Sequence, residues 1–188
     1  MDDKDRQIIS MLQNNGRLPL SRIADIIGFS VMGVKKRVEK LESKGLMHVR
    51  AMLNVEKLGI NLAIIAMEME NAEAIENVVE KFKECPRVLR FFVTTGAYNL
   101  FAIVIAEDYH TLESMSLERC SLRNQKGIRR FEIYPVQDVF YSSFFDIGVI
   151  PKKTREDAPC GVFCGECTRY RAERCVGCPT TVYYRGVL

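Results

Sequence analysis

Between residues 59 and 136 the apolar residues recur with two alternating periods, and their order leaves few folds open. Side chains repeat every two residues along a strand and about every 3.6 along a helix face. INLAIIAMEME reads as a strand with Leu62, Ile64 and Ala66 on one side. AEAIENVVEKFKE reads as an amphipathic helix carrying Ile75, Val78, Val79 and Phe82. VLRFFVTTG and AYNLFAIVIAE read as two strands with Gly96 in the turn between them. YHTLESMSLERCSL is a second helix, and GIRRFEIYPV a last strand. The order strand, helix, strand, strand, helix, strand is the split βαβ of a ferredoxin-like sandwich. Two helices cover one face of a four-stranded sheet. The other face carries apolar residues, so it is expected to meet a second copy, giving a homodimer at least.

A different pattern precedes it. Residues 18–45, LPLSRIADIIGFSVMGVKKRVEKLESKG, read as two helices joined by a tight turn. Pro19 suits the first turn of a helix, where its missing N–H costs nothing. Ile23, Ala24 and Ile27 follow at helical spacing, and Gly28 ends the run. Ser30 is a good N-cap for the next helix. There Val34, Val38 and Leu41 share one face, while Met32, Lys36 and Lys40 point the other way. Residues 2–15 supply a third helix with Ile8, Ile9 and Leu12 inward; Asp5 and Arg6 read as surface charges. A helix buried on one side, basic on the other and set at an angle by a short turn is the geometry of a helix-turn-helix. Double-stranded DNA is the expected partner. Ser30, Met32, Gly33 and Lys36 are placed near bases or backbone, and Arg22, Lys35, Arg37 and Lys40 mainly at phosphates.

Charge is distributed accordingly. Residues 1–50 hold ten Lys/Arg against six Asp/Glu, whereas residues 51–150 hold ten against fourteen. A basic head on an acidic middle suits a protein that presents one module to a polyanion. Hydrophobic content is 47%, enough for a packed core. No apolar run reaches membrane-span length, and the acidic start MDDKDRQ is unlike a signal peptide, so a cytoplasmic location is expected.

Residues 1–138 resemble the Lrp/AsnC family of feast/famine transcription regulators. The resemblance is carried by DRQIISMLQNNGRLPLSRIADIIGFSVMGVKKRVEKLESKGLM, by NVEKLG at 54–59 and by TTGAYNLFAIVIA at 94–106. It implies a winged or plain helix-turn-helix, a ferredoxin-like (ACT-like) dimerisation domain, and dimers that assemble further. LMHVRAMLNVEKLG reads as a strand or wing crossing to that domain. The resemblance also implies amino-acid sensing near Gly96, Tyr98 and Asn99. This chain departs from the family there, since Asn99 stands where the family often has Asp. A plain hairpin turn is an equal reading of 96–99.

The expected organisation is α+β: a helix-turn-helix domain at 1–50, the ferredoxin-like domain at 51–138, a linker or docking arm at 139–158 and a cysteine-rich metal-binding tail at 159–188. VFYSSFFDIGVI reads either as an arm or as a last strand. Five of the seven cysteines crowd the tail as Cys160-x3-Cys164-x2-Cys167-x7-Cys175-x2-Cys178. Each CxxC puts two thiolates around one turn, so two pairs can close a metal site. Zinc needs four thiolates, and Cys164, Cys167, Cys175 and Cys178 suffice. Three features favour an iron–sulfur cluster, [4Fe–4S], over zinc: a fifth cysteine, a Cys-x3-Cys-x2-Cys run that can wrap three corners of a cube, and Pro179 after the last cysteine. Cys85 and Cys120 read as small buried residues. Catalysis is not expected. His48 and His110 are isolated, no phosphate loop or nucleophile elbow is present, and the chain lacks the repeated βα units a radical enzyme with this cysteine run would need.

Overall fold

Asp2 opens the first element. Its carboxylate accepts from the Asp5 N–H at 2.9 Å, while Asp5 accepts from the Asp2 N–H at 3.1 Å, a reciprocal cap that satisfies two orphan donors. In this computed structural model, which describes all of residues 1–188, helix α1 runs Asp3–Asn14, α2 Leu20–Ile27 and α3 Val31–Ser43. Pro19 stands one place before α2 rather than inside its first turn. Gly28 takes the left-handed conformation at φ +70° and stops α2. The Ser30 hydroxyl accepts from the Gly33 N–H at 3.1 Å and starts α3. Ile8, Ile23, Ala24, Ile27 and Val34 make the core of this unit, Met1–Ala51. Asp5 is not the plain surface charge its position suggested. Its side chain is 14% exposed and meets Arg37 at 2.7 Å.

Residues 52–188 form the second compact unit. The strand or wing expected after Gly45 is reduced to the two-residue β1, Leu53–Asn54. The sandwich follows as β2 (Asn61–Met69), α4 (Ala72–Phe82), β3 (Val88–Val93), β4 (Leu100–Ala106), α5 (Tyr109–Leu117) and β5 (Ile128–Pro135). The sheet order is β3-β4-β2-β5 with every neighbour antiparallel, as the ferredoxin-like reading requires. The helices pack on the face of Ala63, Ile65 and Met67, where Val78 and Phe82 from α4 meet Leu112 and Met115 from α5. Leu62, Ile64 and Ala66 therefore lie on the side away from the helices.

That second face is covered only in part. Ile64, Phe92 and Tyr134 are exposed, but at one end Leu62 and Ile105 pack under Ile147 and Leu188. The cover comes from the arm through Ile147 and from the end of the tail through Leu188. The arm's β6, Phe144–Phe145, pairs antiparallel with β1 in a small separate sheet. The arm is a strand, but not one of the four-stranded sheet. The segment after it contains α6, Thr168–Arg171, and packs into the same unit as the sandwich. No helix is long and apolar enough to cross a membrane.

Candidate functional site

The basic face of α3 is built by the cap and the core beneath it. With Val34 and Leu41 buried, Met32, Lys35, Lys36 and Lys40 are turned outward and exposed, as are Ser30 and Arg22; Gly33 is half-buried beside the Ser30 hydroxyl. Lys35 stands 3.8 Å from Glu39 in an exposed pair worth little. Arg37, expected at phosphate, is taken up inside the module instead. Its guanidinium donates to Asp2 and to Asp5, both at 2.7 Å, and lies 5.2 Å from the Phe29 ring centre. It ties α3 to the start of α1. Both carboxylates are held below their ordinary value of 3.8, first by the backbone N–H of their capping partner and then by Arg37. Lys4 donates to the Ile27 carbonyl at 2.7 Å and so satisfies the end of α2.

The turn 96–99 is occupied by internal bonds. The Asn99 side chain accepts from the Met69 N–H at 2.7 Å and donates to the Met69 carbonyl at 2.9 Å. It acts as a spare rung of the sheet at the end of β2, using one of the two N–H groups of its amide. The Tyr98 and Tyr134 hydroxyls both donate to Glu132, whose carboxyl they hold below the usual range, Tyr134 first. Gly96 is exposed at the tip and touches no side chain.

The cysteines converge. Cys160, Cys164, Cys167, Cys175 and Cys178 all line one cavity, and so do Cys85 and Cys120. The cavity offers about 50 Å³ to the centres of water-sized groups, where a single water needs about 10–15 Å³. Its floor is the apolar core, with Cys85 and Cys160 packed against it. Burial pushes the Cys85 thiol up to about 11 and Cys120 further; it also raises Cys160 and Cys164. No three His, Cys, Asp or Glu side chains are gathered as they would be around one metal ion. Cys85, at the end of α4, and Cys120, after α5, were read from sequence only as buried residues. No spacing rule joins them to the tail; the packing does.

Buried polar groups of the sandwich receive the tail. Arg87 donates to the Gly177 carbonyl at 2.6 Å, and the Val176 N–H donates to the Thr111 hydroxyl at 3.2 Å. The Ser114 hydroxyl lies 3.0 Å from the Arg174 carbonyl and accepts from Arg169 Nε at 2.6 Å. Arg169 also pairs with Glu113, whose carboxyl it lowers. Thus α5 is buried on two sides, by the sheet through Leu112 and Met115 and by the tail through Thr111 and Ser114. Gly177 has φ +82°, and a Cβ there would stand 2.7 Å from the Tyr183 carbonyl oxygen. Only glycine lets the Cys175–Cys178 turn approach so closely.

A capped helix-turn-helix with a lysine face and a ferredoxin-like sheet carried on the same chain define a DNA-binding regulator with a second, sensory-type domain. The comparisons agree. Residues 1–42 match the AsnC-type helix-turn-helix domain, and residues 62–143 match the Lrp/AsnC ligand binding domain. The transcriptional regulator LrpA of Pyrococcus abyssi is 33% identical over 109 residues, 57% of this chain and 77% of that protein. The crystal structure of the Mycobacterium tuberculosis leucine response regulatory protein is 26% identical, covering 79% of this chain and all of that one, with a TM-score of 0.66. Escherichia coli AsnC, 22% identical over 74% of this chain and 93% of its own, shares the fold with a TM-score of 0.66. The chain belongs to the Lrp/AsnC family of DNA-binding transcription regulators. The matched domains end at residue 143, so the five clustered cysteines lie beyond them.

Proposed function

We propose that this regulator works as a homodimer whose α3 helices enter successive major grooves, and that its cysteine cavity holds an iron–sulfur cluster, of [4Fe–4S] type, reporting redox, oxygen or iron state. The observation that carries the reading is the single cavity shared by all five tail cysteines. The donor set is all sulfur, which suits iron–sulfur clusters and zinc alike. The two differ in spacing. A zinc ion with Zn–S bonds of about 2.3 Å draws four sulfurs to within about 4 Å of one another. A cluster of several irons holds its thiolates further apart and around a larger void, in keeping with a cavity sized for several water-like groups. The ligands come from Cys160, Cys164, Cys167, Cys175 and Cys178. A bound cluster would supply a one-electron couple and would tie its cysteine ligands together until iron is withdrawn. The chain's own groups do the rest: Arg87 and the tail's backbone face the thiolates, and the apolar floor excludes water.

The exposed Ile64, Phe92 and Tyr134 on the uncovered sheet face are the surface for the second copy. Pairing there gives one assembly two α3 helices, the number with which dimers read two half-sites.

The test is a visible spectrum with iron, sulfide and zinc analysis on protein purified without oxygen. The expected sample is brown, with a broad band that bleaches on reduction and about four irons per chain. Cys164→Ser with Cys167→Ser should abolish the colour. A colourless protein with one zinc per chain overturns the cluster and makes the site a structural staple.

A further inference from the structure

A continuous run of hydrogen bonds, buried at Gly177 and part-buried beyond it, leads from the cysteine cavity to Leu188. Arg87 lies two residues after Cys85, just before β3, and lines the cavity beside Gly177. Its guanidinium, 8% exposed, donates to the Gly177 carbonyl at 2.6 Å and to one oxygen of Glu107 at 2.7 and 3.0 Å. Glu107 follows β4 and is 5% exposed. Its other oxygen accepts from the Tyr184 hydroxyl at 2.6 Å, and that hydroxyl accepts from the Leu188 N–H at 2.7 Å. Leu188 in turn is 4% exposed against Leu62, Ile105 and Ile147 on the sheet's second face. Lys153, beyond the arm, lies 5.3 Å from the Tyr184 ring centre.

We propose that Gly177–Arg87–Glu107–Tyr184–Leu188 is a latch that couples occupancy of the cysteine cavity to the seating of the C-terminus on the second face of the sheet; this rests on the reading that the cavity holds a metal cluster. The physical reason is that a buried ion pair persists only while its remaining donors and acceptors are satisfied. The Gly177 carbonyl is positioned by the turn whose ends are Cys175 and Cys178. With both thiolates tied to a cluster, the turn is fixed and Arg87 keeps its second acceptor, the Gly177 carbonyl. With the cluster gone, the turn is released and a buried guanidinium donor loses its partner. Arg87 and Glu107 then rearrange or admit water, the Tyr184 hydroxyl loses its acceptor, and Leu188 loses the hydroxyl that holds its N–H. Undocking of Leu188 uncovers Leu62 and Ile105, which adjoin the exposed Ile64. The latch thus changes the extent of apolar surface on the face assigned above to the second copy. Arg87 and Tyr184 are positioning residues in this scheme, since neither is a ligand.

The experiment is hydrogen–deuterium exchange read by mass spectrometry on the full chain purified without oxygen, before and after iron is withdrawn by a chelator. Exchange over 144–150 and 184–188 should rise several-fold on iron removal, while α1–α3 stay unchanged. Tyr184→Phe, which deletes the hydroxyl shared by Glu107 and Leu188, should show raised exchange over 184–188 with iron still bound. Because coupling is reciprocal, the same variant should give up half its iron at a chelator concentration lower by about fivefold or more. Iron bound in the wild type with identical exchange before and after its removal overturns the latch and leaves the cluster standing. An unchanged chelator midpoint in Tyr184→Phe also overturns it. Protein that carries no iron overturns cluster and latch together.

Discussion

Arg37 of α3 reaches across to Asp5 of α1, with Nη1 2.7 Å from the carboxylate, and the same nitrogen holds Asp2 at 2.7 Å. One side chain thereby ties α3, the helix proposed to meet DNA, to the capping box that starts the module. The basic residues of α3 therefore divide into two kinds, and the division can be measured. Lys36→Ala and Lys40→Ala should each weaken binding to many sequences alike and flatten the slope of log affinity against log salt by about 0.9. Arg37→Ala should leave that slope unchanged and lower the unfolding temperature of the helical module. Salt titrations of DNA binding and thermal melts followed by far-ultraviolet ellipticity decide between these outcomes.

The same pair makes the module acid-sensitive. Asp2 and Asp5 titrate below 3.8 when folded and near it when unfolded. The unfolded chain then binds more protons in the interval between those values, so stability falls as the pH drops through it. The stabilisation is complete above the ordinary carboxylate value and is lost below the depressed ones. Asp5→Asn should flatten the acid limb of the helical melt relative to the wild type, and both proteins should behave alike near neutrality except for a constant offset.

Asn99 gives a third test. Its amide both accepts from and donates to the Met69 backbone. Asn99→Asp keeps the acceptor but sets a carboxylate oxygen against the Met69 carbonyl, so one bond is replaced by repulsion. A loss of about 1–3 kcal/mol is expected, read by denaturant unfolding of the full chain. Asn99→Ala should cost about as much, because the Met69 N–H and carbonyl are both left without their side-chain partner.

Gly177→Ala should be damaging beyond the strain that a left-handed position alone imposes. The substitution forces φ +82° on a residue with a Cβ and brings that Cβ to 2.7 Å from the Tyr183 carbonyl oxygen. Left-handed strain alone costs about 1–3 kcal/mol, and the clash adds to it. Iron content per chain should fall together with stability, since the displaced turn carries Cys175 and Cys178. Gly161→Ala provides the contrast: φ is +80° but nothing lies within 4 Å of its Cβ, so only the strain remains.

The sequence by itself determined every element whose logic is local. The alternation over 59–136 specified the strands and helices of the sandwich because period and burial are coupled within one element. Gly28 and Ser30 marked the turn and cap of the helix-turn-helix because φ preference and capping act over three or four residues. Cysteine spacing marked the segment whose five thiols line one cavity for the same reason. The relationships that bind distant segments were decided only by the tertiary structure. Arg37 looks like any exposed lysine or arginine of a basic helix until Asp2 and Asp5, more than thirty residues away, are brought against it. Asn99 looks like a turn residue until the end of β2 arrives beside it. Cys85, Cys120 and Arg87 carry no motif. They join the tail cysteines because the sandwich leaves polar and sulfur groups at the ends of α4 and α5 and the beginning of β3, and the last thirty residues fold onto them. A side chain's own neighbours in sequence set its conformation, but its charge partner, its burial and the cavity it faces are set by which segments pack together.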